Sequence, residues 1–138
     1  MPAETSCLTG ALGEMTFERH FIAEGRFMAI PRFDLHKTDF VLEWNGTLVK
    51  VQVKTMSRMA ETNTYITSIA SARKGFKGPQ PYRSGEIDYF GIVNLEYDRI
   101  WMIPLQATDG KVSLAWVPSD LRKRKKNTAF AWDQYRIK

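Results

Sequence analysis

Asn45-Gly46, set between "TDFVLEW" and "TLVKVQVKT", constrains this chain more than any other stretch. Both residues accept the positive φ that a two-residue hairpin loop demands, and the runs on either side alternate apolar with polar positions, so an antiparallel hairpin is predicted. With these two residues as the loop, Trp44 pairs with Thr47, Leu42 with Val49, Phe40 with Val51 and Asp39 with Gln52. Phe40, Leu42, Trp44, Val49, Val51 and Val53 then form one apolar face, and Asp39, Val41 and Glu43 share the other with Lys50, Gln52 and Lys54. Lys54 becomes the diagonal neighbour of Asp39, roughly 7–8 Å away between backbones and within reach of a long side chain.

Upstream, Leu12 to Glu24 reads as a helix closed by Gly25 at the C′ position. At about 100° per residue Phe17 and Phe21 lie to one side of Glu14 and Met15 and Ile22 to the other, which places Glu14, and Glu18 one turn on, inside the apolar arc. Glu14 also suits the first turn of that helix, where the dipole favours an acid by about 0.3–1 kcal/mol. "RFMAIPRF" reads as a short strand ended by Pro31, and further strands are expected at Thr64 to Ala70, Tyr89 to Leu95, Ile100 to Leu105 and Lys111 to Val117. "DYFGIVNL" is nearly all apolar, as a central strand covered on both faces would be. Trp44, Trp101, Trp116 and Trp132 are expected in the core. The fold class that follows is α/β (α+β): one domain over residues 1–138, a sheet with a helix on at least one side, ending in a basic segment, residues 119–138.

Charge matters here through its placement. Lys and Arg number 20 against 15 Asp and Glu, and the excess gathers in two stretches. "RKGFKGPQPYR" holds Arg73, Lys74, Lys77 and Arg83 without an acid, with Phe76 and Tyr82 interleaved among Gly and Pro, which suits a basic loop offering stacking groups. "RKRKK" is Arg122, Lys123, Arg124, Lys125 and Lys126 in succession. Together they point to a polyanion, nucleic acid above all. The lone Cys7 excludes an internal disulfide and a cysteine zinc cluster, and His20 and His36 form no recognisable metal pair, so any metal is a hard one held by oxygens. No apolar run suits a membrane helix and the start lacks signal-peptide order, so a cytoplasmic protein is expected.

The acid within a helix's apolar arc ("GEMTFERHFIAEG"), the acid on a strand ("KTDFVLEW") and the x-Lys pair on its neighbour ("VQVKT") together resemble the PD-(D/E)XK nuclease superfamily. The resemblance is nearest to the small intron-encoded homing endonucleases, which carry a Gln-x-Lys third motif and a later segment like "YRSGEIDYFGIVNLEYDRIWMIP". It departs from the superfamily pattern where Lys37-Thr38 replaces the expected proline and Gln52 the expected acid. The resemblance implies a restriction-endonuclease-like mixed central sheet flanked by helices. It also implies a Mg²⁺-dependent endonuclease for double-stranded DNA, with Mn²⁺ as a substitute, and a homodimer or homotetramer, since one site cuts one strand. The implied site is Glu14, Asp39, Gln52 and Lys54, the first three on the metal. Arg73, Lys74, Lys77, Tyr82, Arg83 and Arg122 to Lys126 are the expected DNA contacts. A structure-selective nuclease of the junction-resolvase kind and a DNA-binding protein with a decayed site are the alternatives. The chemistry stands on its own terms too. Two carboxylates about 4 Å apart repel by about 4 kcal/mol at an effective dielectric of 20, so a cation between them gives the pair a purpose. Lys54 cannot ligate a metal but can contact a phosphate or orient a water.

Overall fold

The computed structural model describes residues 3–33, 37–122 and 130–138. A long helix, α1 (Ala3–Ala23), leads into a short strand, β1 (Met28–Ala29), and then into the hairpin, β2 (Phe40–Trp44) and β3 (Thr47–Thr55). Four short strands follow: β4 (Ser57–Arg58), β5 (Tyr65–Ser68), β6 (Ala70–Ser71) and β7 (Gln80–Pro81). The chain closes with β8 (Tyr89–Asn94), β9 (Arg99–Pro104), β10 (Ser113–Trp116) and a one-turn helix, α2 (Phe130–Asp133).

Asn45 and Gly46 take φ of 52° and 80°, the positive values a primed turn needs. The register is the one this turn dictates: Trp44 pairs with Thr47, Leu42 with Val49 and Phe40 with Val51. There the ladder ends. The expected Asp39–Gln52 pair does not form, because β2 starts at Phe40 and the Asp39 N–H donates to the Val51 carbonyl at 2.8 Å. The last residues of β3 therefore run past the end of β2 and leave a gap on that side of the sheet.

The central sheet has the order β1-β2-β3-β8-β9, with β3 and β8 parallel and the other pairs antiparallel. Parallel pairing seats Phe90 beside Gln52 and Ile92 beside Lys54. The predicted strands at Tyr89 to Leu95 and Ile100 to Leu105 are present as β8 and β9, while the expected strand Thr64 to Ala70 is divided between β5 and β6, which belong to different sheets. The outer edge of β9 is covered by the C-terminal segment, whose Ile137 N–H donates to the Ile100 carbonyl at 2.9 Å, so no bare edge faces solvent there. The sheet's two faces are covered differently. One packs on α1, with Phe17 and Phe21 against Leu42, Val51, Val93 and Ile100. The other lies under the small sheet β10-β5-β4, with Trp101, Trp116, Ile69, Phe90 and Ile92 between them. The mixed central sheet of the expected fold class is thus present, with a helix on one side and strands on the other. No helix among the described residues is long and apolar enough to cross a membrane.

Helix α1 begins well before the predicted Leu12, and the hydroxyls of Thr9 and Thr16 donate back to the Thr5 and Leu12 carbonyls at 2.9 and 2.8 Å, which lets these residues sit within it. Only Phe17 and Phe21 of its expected apolar arc are buried; Met15 and Ile22 are 63% and 58% exposed. Close approach to the sheet comes from two glycines. A Cβ on Gly13 would stand 1.8 Å from Thr55 Oγ1, and one on Gly91 would stand 2.4 Å from the Phe17 ring. Phe17 is fully buried and has nowhere to go, so Gly91→Val is expected to lower unfolding free energy by about 1–3 kcal/mol in a denaturant titration. It should also impair the site, because the displaced helix carries Glu14.

Candidate active site

The gap beside β3 is where the predicted catalytic residues meet. A regular β2 would have offered a carbonyl to the Val53 N–H; instead Asp39 Oδ2 accepts it, at 2.8 Å. The carboxylate thereby stands in for the missing strand residue, satisfies a partly buried amide and is held rigidly by it. Thr38, buried just before it, donates its hydroxyl to the Glu86 carbonyl at 3.1 Å and fixes the approach of the chain. From the other side, Gly13 brings α1 down on Thr55 and so delivers Glu14 to the gap.

Glu14 stands on the wall between two clefts. One, of about 450 Å³, is lined by Glu14, Glu18, Thr38 and Asp39; the other, of about 390 Å³, by Glu14, Gln52, Lys54 and Ser57. Asp39 borders the first cleft, Gln52 and Lys54 the second, and Glu14 both. Glu14 lies well inside α1, beyond the first turn where the helix dipole acts, so that account of its presence no longer applies.

The charges in this region influence one another. Asp39 is pushed above the usual carboxylate range by burial, while the Val53 N–H and Lys54 pull it down. Glu14 is pushed up by partial burial, then by the charges of Asp39 and Glu18. Burial lowers Lys54; Asp39 opposes that effect and Lys37 adds to it. A carboxylate raised by the charge of a second one forms with it a pair that a cation would relieve. Among the described residues no three His, Cys, Asp or Glu side chains converge on a ready-made metal cage. A donor set of two carboxylates, with Gln52 lining the cleft beyond Glu14, suits an ion that keeps several waters and takes phosphate oxygens, as Mg²⁺ does.

The sequence-predicted DNA contacts fare differently. Lys74, Lys77 and Arg83 are exposed, as is Phe76 at 51%. Arg73 is committed to an ion pair with Glu86 and to the Pro81 carbonyl. Tyr82, expected to stack on a base, is buried against the Phe90 ring at 5.3 Å between centroids, because the β6–β7 pairing turns it inward. Its ring lies 5.7 Å from Lys54 Nζ, so it braces the lysine through a cation–π contact. The Arg122 side chain is 2% exposed, 2.7 Å from Asp133 and hydrogen-bonded to the Val117 carbonyl at 2.8 Å, which makes it a clasp on the C-terminal segment rather than a free cation. Lys123, Arg124, Lys125 and Lys126 lie outside the described residues, as does His36. His20 packs on Phe21 and Asp88 accepts from the Lys50 N–H at 2.8 Å, a structural role for each. Lys37, whose Nζ donates to Ser71 Oγ at 2.6 Å, is a second cation near the site; nothing local in the sequence marks it, since its partner is 34 residues away.

The architecture is similar to that of a bacterial homing endonuclease, I-Ssp6803I, with a TM-score of 0.77 and 21% identity over 91% of this chain and 86% of that one. It is similar more distantly to MepB, with a TM-score of 0.52 and 12% identity over 81% and 85% of the two chains. A comparison with curated proteins returned no match. The sequence pattern of one family, described as PD-(D/E)XK endonuclease, matches residues 5–137. The chain belongs to the PD-(D/E)XK endonuclease family.

Proposed function

We propose that this protein is a Mg²⁺-dependent endonuclease that hydrolyses phosphodiester bonds in double-stranded DNA, as a homing endonuclease does, with Glu14, Asp39, Gln52 and Lys54 as its site. One observation carries the reading: Asp39, locked by the Val53 amide, acts with its charge on both Glu14 from α1 and Lys54 from β3. Two acids and a lysine meeting at the open end of a strand suit the hydrolysis of a phosphodiester.

A divalent cation held by Glu14, Asp39 and the Gln52 oxygen supplies neutralisation of the phosphate and a more acidic water. Asp39 contributes its oxygen from a fixed position, since the Val53 bond removes its freedom to rotate. Lys54, held between Asp39 and the Tyr82 ring, is placed to donate to a non-bridging phosphate oxygen, where charge grows during attack, or to hold the water in line. Gln52 offers one neutral oxygen as a ligand and one NH₂ as a donor. Lys74, Lys77 and Arg83, with Phe76 beside them, provide phosphate contacts that set affinity without reading sequence. Cutting both strands then takes two copies of the site, in a homodimer or homotetramer.

Incubation of supercoiled plasmid with Mg²⁺ tests the assignment. Asp39→Ala and Lys54→Ala should each lower the nicking rate by about 100-fold or more. Equal nicking by wild type and both variants would sink the site, and DNA binding without cleavage by wild type would favour the decayed alternative. Gln52→Glu restores a negative charge and is expected to tighten Mg²⁺ binding in a titration with little loss of rate; a collapse of rate in a folded variant would show that the amide's donor is required.

The raised carboxylates make a separate prediction about stability. A carboxyl whose folded pKa lies above its unfolded value costs stability once pH exceeds that folded value, and the cost disappears as pH falls to the unfolded one. Asp39→Asn keeps an oxygen for the Val53 N–H while removing the charge. In chelator at neutral pH its Tm should therefore match or exceed that of wild type, and the difference should close as pH drops through the raised carboxylate pKa toward the ordinary range. A variant less stable than wild type at neutral pH would show that the charge is not the burden inferred here.

A further inference from the structure

Lys37 directly precedes two residues that line the first cleft, Thr38 and Asp39, and the chemistry proposed above makes no use of its charge. Its position is set from two sides. The Thr38 hydroxyl donates to the Glu86 carbonyl at 3.1 Å, and the Lys37 ammonium donates to Ser71 Oγ at 2.6 Å. Ser71 lies on β6, paired with Gln80 of β7, and the loop with Lys74 and Lys77 hangs between these two strands. Ser71 also hydrogen-bonds Tyr82, whose ring lies 5.7 Å from Lys54 Nζ. A chain of contacts thus runs from Lys54 through Tyr82 and Ser71 to Lys37, and from Ser71 on into the basic loop.

The two ammonium groups are set against each other. Burial lowers Lys54 and the charge of Lys37 lowers it further, against the pull of Asp39. Half-buried cations that repel in this way are relieved by an anion placed against them. Among the described residues no carboxylate forms an ion pair with Lys37. The nearby Glu86 is taken by Arg73, and Asp39 by the Val53 amide. One of the three N–H groups of Lys37 goes to Ser71, which leaves two for the oxygens of a ligand.

We propose that Lys37 binds the DNA backbone at the phosphate next to the one that is cut, on the side leading to Lys74, Lys77 and Arg83. A phosphodiester carries a single negative charge, which Lys54 and a bound cation already meet, so a second ammonium calls for the next phosphate along. A strand with a charge on every nucleotide satisfies both lysines at once. The cleaved strand then crosses the carboxylates, passes Lys37 and continues onto the basic loop, held in place by a contact that positions it without reading its sequence. Which phosphate Lys54 meets rests on the proposed cleavage; the placement of Lys37 rests on its bonds to Ser71 and its neighbours.

Binding and nicking test the two parts separately. In fluorescence anisotropy with a mixed-sequence duplex in chelator, Lys37→Met should weaken binding by about fivefold or more and lower the slope of log K against log salt by about 0.9, the loss of one phosphate contact. On supercoiled plasmid with Mg²⁺, KM should rise by a similar factor while the rate at saturating plasmid stays within about threefold of wild type. Lys37→Arg keeps the charge and should restore both, and Lys37→Gln replaces the methionine variant if that one disturbs the circular dichroism. A folded, uncharged variant with the wild-type slope overturns the proposal, even where its rate at saturating plasmid falls, since Lys37 would then act on Asp39 rather than on DNA. If wild type never nicks but its salt slope depends on Lys37, the nuclease reading fails and the backbone contact stands. A wild type that binds no duplex overturns both.

Discussion

Positive φ at both Asn45 and Gly46 ties two strands of unequal length into one register, and the polar arrangement of the site follows from the residues by which they differ. β2 has five residues and β3 nine. The turn leaves no freedom to slide, because a one-residue slip would turn Val49, Val51 and Val53 out of the core. The surplus of β3 therefore projects past β2 at the end away from the turn. The partly buried Val53 amide there lacks a strand partner, and Asp39 supplies one from its side chain. A hydrogen-bonding deficit in the backbone and the placement of a chemical group are the same feature.

Charge concentration at that point works against the fold. Burial pushes Glu14 and Asp39 upward, the charges of Asp39 and Glu18 push Glu14 further, and burial pushes Lys54 downward. Each shift says that the ionised form is less comfortable here than in water. The structure tolerates this because the elements carrying the charges are anchored by apolar contacts elsewhere: α1 through Phe17 and Phe21, β3 through its valines. The two glycines that let α1 approach closely, Gly13 and Gly91, serve the same end, since a helix held farther away would leave Glu14 short of the gap.

The basic loop shows how composition misleads about role. Its Gly and Pro content suggested a loop offering both Phe76 and Tyr82 as stacking groups, yet the short β6–β7 pairing folds Tyr82 beneath Lys54 and leaves Phe76 outside. Arg73, alike in sequence to the exposed Lys74, Lys77 and Arg83, is consumed by Glu86, and Arg122 by Asp133. Net positive charge predicts a polyanion partner, but which cations remain free to meet it depends on acids distant in the chain.

Local rules made the hairpin, its register, the central β8 strand and the family resemblance legible in the sequence alone, because turn chemistry and a period of two act between near neighbours. The identities of Glu14, Asp39, Gln52 and Lys54 as a candidate set were legible for the same reason, through their placement on predicted elements. What the sequence could not determine was the convergence itself. The early stop of β2, the crossing of α1 over Thr55 and the division of α1's apolar residues between core and outer face all depend on contacts between segments far apart in the chain. A helical period reports that a residue is apolar and where it points around the axis; only packing decides which of two such faces meets the core, and here the answer left one of them open.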